Sequence, residues 1–142
     1  MIAIGCDHGG YDLKQVIMKH LEERSISCKD CGCMSKDSCD YPVYGKAVAE
    51  AVADGTCEKG IVICTTGIGI SITANKVKGI RAAVCGDLLT TKLTRLHNDA
   101  NVLALGAGIV GPELAKAIVD TFLDTEFSGV DRHQRRINQI EE

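Results

Sequence analysis

The chain has 142 residues, 45% of them hydrophobic, which predicts one domain over 1–142 with a core that needs no staples. A formal charge of −3, no Trp and 4% aromatic residues give neither a basic field nor stacking surfaces for nucleic acid. No apolar run nears the ~20 residues of a membrane span and Met1-Ile2-Ala3-Ile4-Gly5 lacks a signal peptide's charged start, so the eight Cys read as reduced thiols of a soluble, cytoplasmic protein.

Residues 2–6 are a short apolar run that stops at Asp7-His8-Gly9-Gly10, which predicts a first strand. Leu13, Ile17, His20, Leu21 and Arg24 then recur at helical spacing. Residues 25–29 read as a weaker second strand, and a Cys- and Asp-rich loop leads on to Asp40-Tyr41-Pro42. Pro42 suits a first helical turn, and 43–53 continues that helix until Asp54-Gly55. Strands three, four and five are predicted over 60–64, 80–85 and 101–105, with helices after them over 68–77, 88–96 and 112–123. A last helix covers 132–140. The alternation predicts an α/β fold: right-handed βαβ units and a mostly parallel sheet covered on both faces. No linker, repeat or low-complexity tract interrupts it.

One stretch carries the most chemistry: Gly60-Ile61-Val62-Ile63-Cys64-Thr65-Thr66-Gly67-Ile68-Gly69-Ile70-Ser71. A buried parallel strand here delivers Cys64 to the carboxyl edge of the sheet, where open α/β folds place their ligands. The Gly-rich turn then points backbone N–H groups at the same spot from a helix N-terminus, an arrangement that favours anions. A carbon-acid base beside an oxyanion site is what an isomerase acting on a sugar phosphate needs. Asp7 and His8 follow the first strand in the same way. His97-Asn98 lies between the fourth strand's helix and the fifth strand and approaches from another direction. Arg132 and Arg136 share one face of the last helix and form a fork for a phosphate.

Each group also has a plainer reading. A strand-end Cys is often a small buried hydrophobe, and Asp7 reads equally as a helix cap with tight-turn glycines. His97-Asn98 reads as a helix C-terminus, with Asn in the left-handed cap, and the Arg-rich helix as a solvated face. Cys28, Cys31, Cys33 and Cys39 contain one Cys-x2-Cys knuckle where tetrahedral zinc sites pair two, which favours unligated thiols. Cys64 has no resolving Cys at Cys-x-x-Cys spacing, which weighs against a redox role.

Together, Gly5-Cys6-Asp7-His8-Gly9-Gly10, Asp40-Tyr41-Pro42, Cys64-Thr65-Thr66-Gly67-Ile68-Gly69-Ile70-Ser71, Ala74-Asn75-Lys76, Arg95-Leu96-His97-Asn98-Asp99 and the stretch 129–136 resemble ribose-5-phosphate isomerase type B, in the family shared with allose-6-phosphate and galactose-6-phosphate isomerases. The resemblance covers essentially the whole chain, in order. It implies a Rossmann-like three-layer α/β/α sandwich with a five-stranded parallel sheet. It also implies no metal or organic cofactor, a phosphorylated sugar as substrate, and a homodimer, with a tetramer as the larger alternative, whose active sites are shared between subunits.

Carried over by position, the resemblance makes Cys64 the base that moves a proton between C2 and C1. It makes His97 the partner-donated group that opens the furanose ring. Asp7 and His8 match substrate-binding positions; Thr65, Thr66, Gly67, Ile68 and Gly69 match the loop that holds the enediolate, with Ser71 opening its helix. Asn98, Arg132 and Arg136 match sugar- and phosphate-contacting positions. Family members with a carboxylate base carry it where this chain has Ile70, so the chain falls in the cysteine-base group. Many members also have an Arg after the fifth strand where this chain has Gly108, and Arg135, Arg95 or Lys92 are the candidates to replace it. The expected reaction interconverts ribose 5-phosphate and ribulose 5-phosphate. The alternatives are a hexose 6-phosphate substrate, or a non-catalytic sugar-phosphate sensor, against which the presence of both Cys64 and His97 argues.

Overall fold

Five strands form in the computed structural model, which describes residues 1–142: β1 (Ile2–Cys6), β2 (Cys28–Asp30), β3 (Lys59–Cys64), β4 (Ala82–Val84) and β5 (Val102–Gly106). All pair in parallel, in the order β2-β1-β3-β5-β4. The helices are α1 (Tyr11–Glu23), α2 (Tyr41–Ala53), α3 (Ile68–Ala74), α4 (Leu88–Leu93), α5 (Pro112–Asp124) and α6 (Asp131–Glu141). Strand alternation sends Ile4, Cys6, Ile61, Ile63, Leu103 and Leu105 to one face, against Ile17 and Leu21 of α1 and Ile118 and Phe122 of α5. Ala3, Val62, Cys64, Val102 and Ala104 face the other way, against Val48 and Val52 of α2 and Ile70 and Ala74 of α3. This is a three-layer α/β/α sandwich. Truncating a fully buried side chain such as Phe122 or Ile63 to Ala costs about 2–5 kcal/mol.

The central strands are buried on both faces and therefore read as continuous apolar runs. The edge strands β2 and β4 are three residues each and half-exposed. Their bounds differ from the expectation for local reasons. Ser25 takes a left-handed φ of 59°, and Ile26 N–H bonds back to the Leu21 carbonyl, so the chain turns at Arg24–Ser25 and β2 starts only at Cys28. The helix expected over 68–77 stops at Ala74 because Asn75 turns to β4. Its Nδ2 donates to the Ala82 carbonyl at 3.0 Å and its Oδ1 accepts from Ala82 N–H at 2.7 Å. The side-chain amide thus occupies the place of a neighbouring strand along an open edge.

Lys14 of α1 is wholly buried. Its Nζ donates to Asp30 Oδ1 at 2.7 Å and to the Cys33 carbonyl at 2.6 Å, and it lies 5.6 Å from the Tyr11 ring centroid. These bonds tie the start of the loop over 31–40 to the core. Removing Asp30 would strand a buried ammonium, at a cost of about 3–5 kcal/mol.

Candidate active site

After β1 the chain passes to α1 on one face, after β3 to α3 on the opposite face, and after β5 to α5 on the first face. The carboxyl end of β3 therefore parts from both neighbours, which opens a crevice at a topological switch point. Cys64, the last residue of β3, stands opposite Gly106 in that crevice and is buried. The backbone N–H of Gly67 donates to Cys64 Sγ at 3.1 Å. The Cys64 and Thr65 carbonyls are held from the β5 side by the N–H groups of Ala107 and Gly108, both at 2.8 Å. Gly67 has φ 79°, and a Cβ there would lie 2.9 Å from the Leu105 carbonyl carbon, so only glycine fits this turn. The first-turn amides of Gly69 and Ile70 have no carbonyl partner within the chain, as helix geometry dictates. Ile68 N–H is partnered by Thr66 Oγ1 at 3.2 Å.

Asp7 is buried beside this turn, and its Oδ1 accepts from Gly9 N–H at 2.9 Å and Gly10 N–H at 3.2 Å. The capping reading of Asp7 is therefore realised at the mouth of the crevice. His8 is exposed, and its Nδ1 accepts from the backbone N–H of Cys39 at 3.2 Å. A backbone amide can only donate, so this bond puts the neutral ring's proton on Nε2. Tyr41 covers the turn: a Cβ on Gly69 would fall 2.7 Å from its ring. Tyr41 and Cys39 were not among the expected site residues; only the Asp40-Tyr41-Pro42 motif pointed near them.

The second half of the expected site lies elsewhere. The helix expected over 88–96 becomes α4 followed by a π-helical turn, Thr94–Asn98. Arg81, just before β4, donates to the Asn98 carbonyl from Nε and to the Asp99 carbonyl from Nη2, both at 2.9 Å. Asn98 is thereby tied to the amino edge of a parallel sheet whose carboxyl edge holds Cys64. β5 separates the two edges, and five residues at roughly 3.3 Å each span about 16 Å. Helix α6 runs along the same end, with Arg132 and Arg136 exposed and Glu141 2.7 Å from Arg81. The His97 ring stacks on His133 of α6, with centroids 4.3 Å apart. One chain therefore gathers Asp7, His8, Cys64 and the Gly turn at one edge, and His97, Asn98, Arg132 and Arg136 at the other.

Three finer expectations are corrected. Ser71 does not open α3, which begins at Ile68; its buried hydroxyl donates to the Ile68 carbonyl at 2.7 Å. The left-handed cap after the π turn is Asp99, φ 45°, rather than Asn98, because Arg81 and Arg95 both hold Asp99. Arg95 cannot replace a phosphate-binding Arg: it is buried and spent on Asp99, the Thr125 and Ala100 carbonyls and the Phe122 ring.

A family model described as Ribose/Galactose Isomerase matches residues 2–140 of this chain. The chain belongs to that family. It is 52% identical over 139 residues to ribose-5-phosphate isomerase B of Escherichia coli, covering 98% of this chain and 93% of that one. A solved structure of Clostridium thermocellum ribose-5-phosphate isomerase B superposes with a TM-score of 0.97 at 54% identity, over 99% and 94% of the two chains. A galactose-6-phosphate isomerase subunit of Clostridium acetobutylicum is 40% identical over 142 residues, all of this chain and 82% of its own. Like these proteins, the chain is an isomerase of the ribose/galactose isomerase family, and no helix in it is long and apolar enough to cross a membrane.

For a ribose/galactose isomerase, two positions near the turn are informative. Ile70 is fully buried among the α2 and α3 side chains, so this chain presents no carboxylate from that position. Gly108 is exposed, and its backbone is not left-handed. A Cβ there would meet Thr65 Cγ2 at 3.1 Å and the Thr65 carbonyl at 3.2 Å, so a side chain needs a shift of a few tenths of an ångström.

Proposed function

We propose that this protein interconverts ribose 5-phosphate and ribulose 5-phosphate through an enediolate, as part of pentose phosphate metabolism in the cytoplasm. The observation that carries the reading is Cys64 Sγ at the carboxyl end of β3, hydrogen-bonded by Gly67 N–H and facing a turn of unpartnered amides. In the proposed reaction the Cys64 thiolate takes the C2 proton of the open-chain aldose. The C1 carbonyl oxygen becomes anionic and is met by the turn amides and the Thr66 hydroxyl. The thiol then returns its proton to C1 while the O2 proton leaves and O1 gains one, which yields the ketose. A positioned base of this kind contributes about 10²–10⁴ in rate, and each well-placed donor to the oxyanion about 3–4 kcal/mol.

Ring opening and phosphate capture belong to His97, Asn98, Arg132 and Arg136. Their place at the opposite edge supports an active site completed by a second copy of the chain, in a homodimer with two shared sites. The exposed apolar side chains Ile68, Val84 and Ile109 around the crevice favour such burial.

A second reading, turnover of a hexose 6-phosphate, is favoured by two observations. Gly108 leaves the crevice without a side chain where the family resemblance implies an Arg, and a galactose-6-phosphate isomerase subunit matches the whole chain. Steady-state turnover of purified protein on ribose 5-phosphate, allose 6-phosphate and galactose 6-phosphate decides. The pentose reading expects the highest kcat/KM on ribose 5-phosphate; a higher value on either hexose, or no isomerisation of any, overturns it.

A further inference from the structure

On α6 only His133 and Ile137, one turn apart, are buried; Arg132 and Arg136 occupy the neighbouring exposed face. His133 is 8% exposed, and its imidazole lies against His97 with planes inclined by 22°, a stacked contact between two elements. Both elements are held independently of the rings. Ser128 N–H donates to the Leu96 carbonyl at 3.4 Å, and Arg81 bridges the Asn98 carbonyl to Glu141. The stack is thus built into the amino edge.

We infer that His133 is a positioning residue for His97: its buried ring fixes the plane of the His97 imidazole and couples it, through α6, to the arginine fork. The inference rests on the reading of His97 as the ring opener. The charged groups that bear on His133 are all cationic: His97 from the π turn, and Arg132 and Arg136 from its own helix. Burial first, then these neighbours, lower the affinity of His133 for a proton. A charge on one of two stacked imidazoles disfavours a charge on the other. On the ring-opening reading an acid is needed at the sugar's ring oxygen, and His97, the more exposed ring of the two, is placed to supply it. A phosphate dianion on Arg132 and Arg136 cancels the surrounding positive charge and raises the proton affinity of the pair. Substrate capture thereby prepares the acid that opens it.

The test compares His133→Ala with His133→Phe, which keeps a flat ring but no second proton site. Cyclic ribose 5-phosphate and open-chain ribulose 5-phosphate are assayed separately. The Ala variant loses roughly 10- to 100-fold in kcat/KM on ribose 5-phosphate, with KM little changed and ribulose 5-phosphate turnover far less affected. The Phe variant recovers most of the loss, and the histidine limb of its pH profile moves upward because the second ring no longer competes. Equal losses on both sugars in both variants, or an unchanged Ala variant, would overturn the inference. A second readout needs no turnover. The His97 ring-proton NMR signal shows a ring-current shift in wild type and the Phe variant that is lost in Ala. Inorganic phosphate raises its titration midpoint in wild type but not in an Arg132→Gln, Arg136→Gln variant. Absence of both effects sinks the positioning role, whereas His97→Asn with full activity on ribose 5-phosphate would sink the ring-opening reading instead.

Discussion

Cys64 and His97 are fixed to opposite edges of one parallel sheet, the first by its pairing with Gly106 at the end of β5, the second on a π turn that Arg81 clamps before β4 begins. No side-chain rotation closes a gap the length of a strand. On the proposed mechanism the two residues would meet on one substrate across two copies of the chain.

Mixing two dead variants tests this directly. Cys64→Ala and His97→Asn are each expected to be inactive on ribose 5-phosphate. After unfolding and refolding together in equal amounts, half of the dimers are mixed and each holds one intact site, so about a quarter of wild-type activity returns. No recovery, with mixed dimers demonstrated by mass spectrometry, would place both residues in a single-chain site.

Cys64→Ala alone should lower kcat by at least about 10²-fold, the usual contribution of a positioned base, while leaving the melting temperature and sugar-phosphate binding near wild type. The reason is local: Cys64 contributes one hydrogen bond, accepted from Gly67, and little core volume. Near-normal kcat in a folded Ala variant would remove Cys64 from the chemistry.

Gly67→Ala is expected to damage both stability and turnover. The residue's φ of 79° costs an L-residue about 1–2 kcal/mol, and the added Cβ meets the Leu105 carbonyl carbon at 2.9 Å. Relief of that clash moves the N–H that donates to Cys64 Sγ. A thermal melt together with kcat reports both effects; an unaltered kcat in the destabilised variant would show that the bond to sulfur is dispensable.

Gly108→Arg should fold, because the position is exposed, its backbone is not left-handed and the nearest contact is the Thr65 methyl at 3.1 Å. If the crevice lacks a cation for the phosphate, KM for ribose 5-phosphate falls with kcat little changed, by up to about 1.5–3 kcal/mol of binding. A raised KM for ribose 5-phosphate in a normally melting variant contradicts this, and a selective loss on hexose phosphates assigns Gly108 to making room for a longer sugar.

The thiols should separate in reactivity by pH. Burial pushes Cys6 up to about 12 and Cys28 up to about 11, and it raises Cys85 as well. At pH 8 Cys6 is therefore held almost wholly as the unreactive thiol, and its reactivity rises only as the pH is raised. Iodoacetamide at pH 8 should inactivate through Cys64, with substrate protecting, while Cys6 stays unlabelled in a peptide map. Labelling of Cys6 ahead of Cys64 would contradict the assignment.

The sheet was legible because β1, β3 and β5 are buried on both faces and so spell out uninterrupted apolar runs ending where the chain turns. Cys64 and its turn were legible for the same reason, with Gly67 marking a backbone that other residues resist. The edge strands were harder: β4 is defined at one end by the Asn75 amide, a contact no periodicity encodes. The π turn was illegible too, since Thr94–Asn98 continues a helical pattern and is bent by Arg95 and Arg81 gripping Asp99. His133 escaped notice among arginines because its burial depends on the ring that it meets rather than on its neighbours in sequence.

Lys14 places a limit on motion. Swinging the start of the 31–40 loop away from α1 would pull Asp30 and the Cys33 carbonyl off a fully buried ammonium, which water could not quickly replace. That loop also carries Cys39, and with it the donor that holds the His8 ring. The wall of the crevice on the β1 side is therefore stiff over a catalytic cycle, and it behaves as an anvil rather than a gate. On the proposed function, sugars would enter and leave by the opposite lip, where Ile68 and Ile109 are exposed. On the proposed two-copy site that lip would lie between subunits, and product escape would then depend on how the copies move against each other.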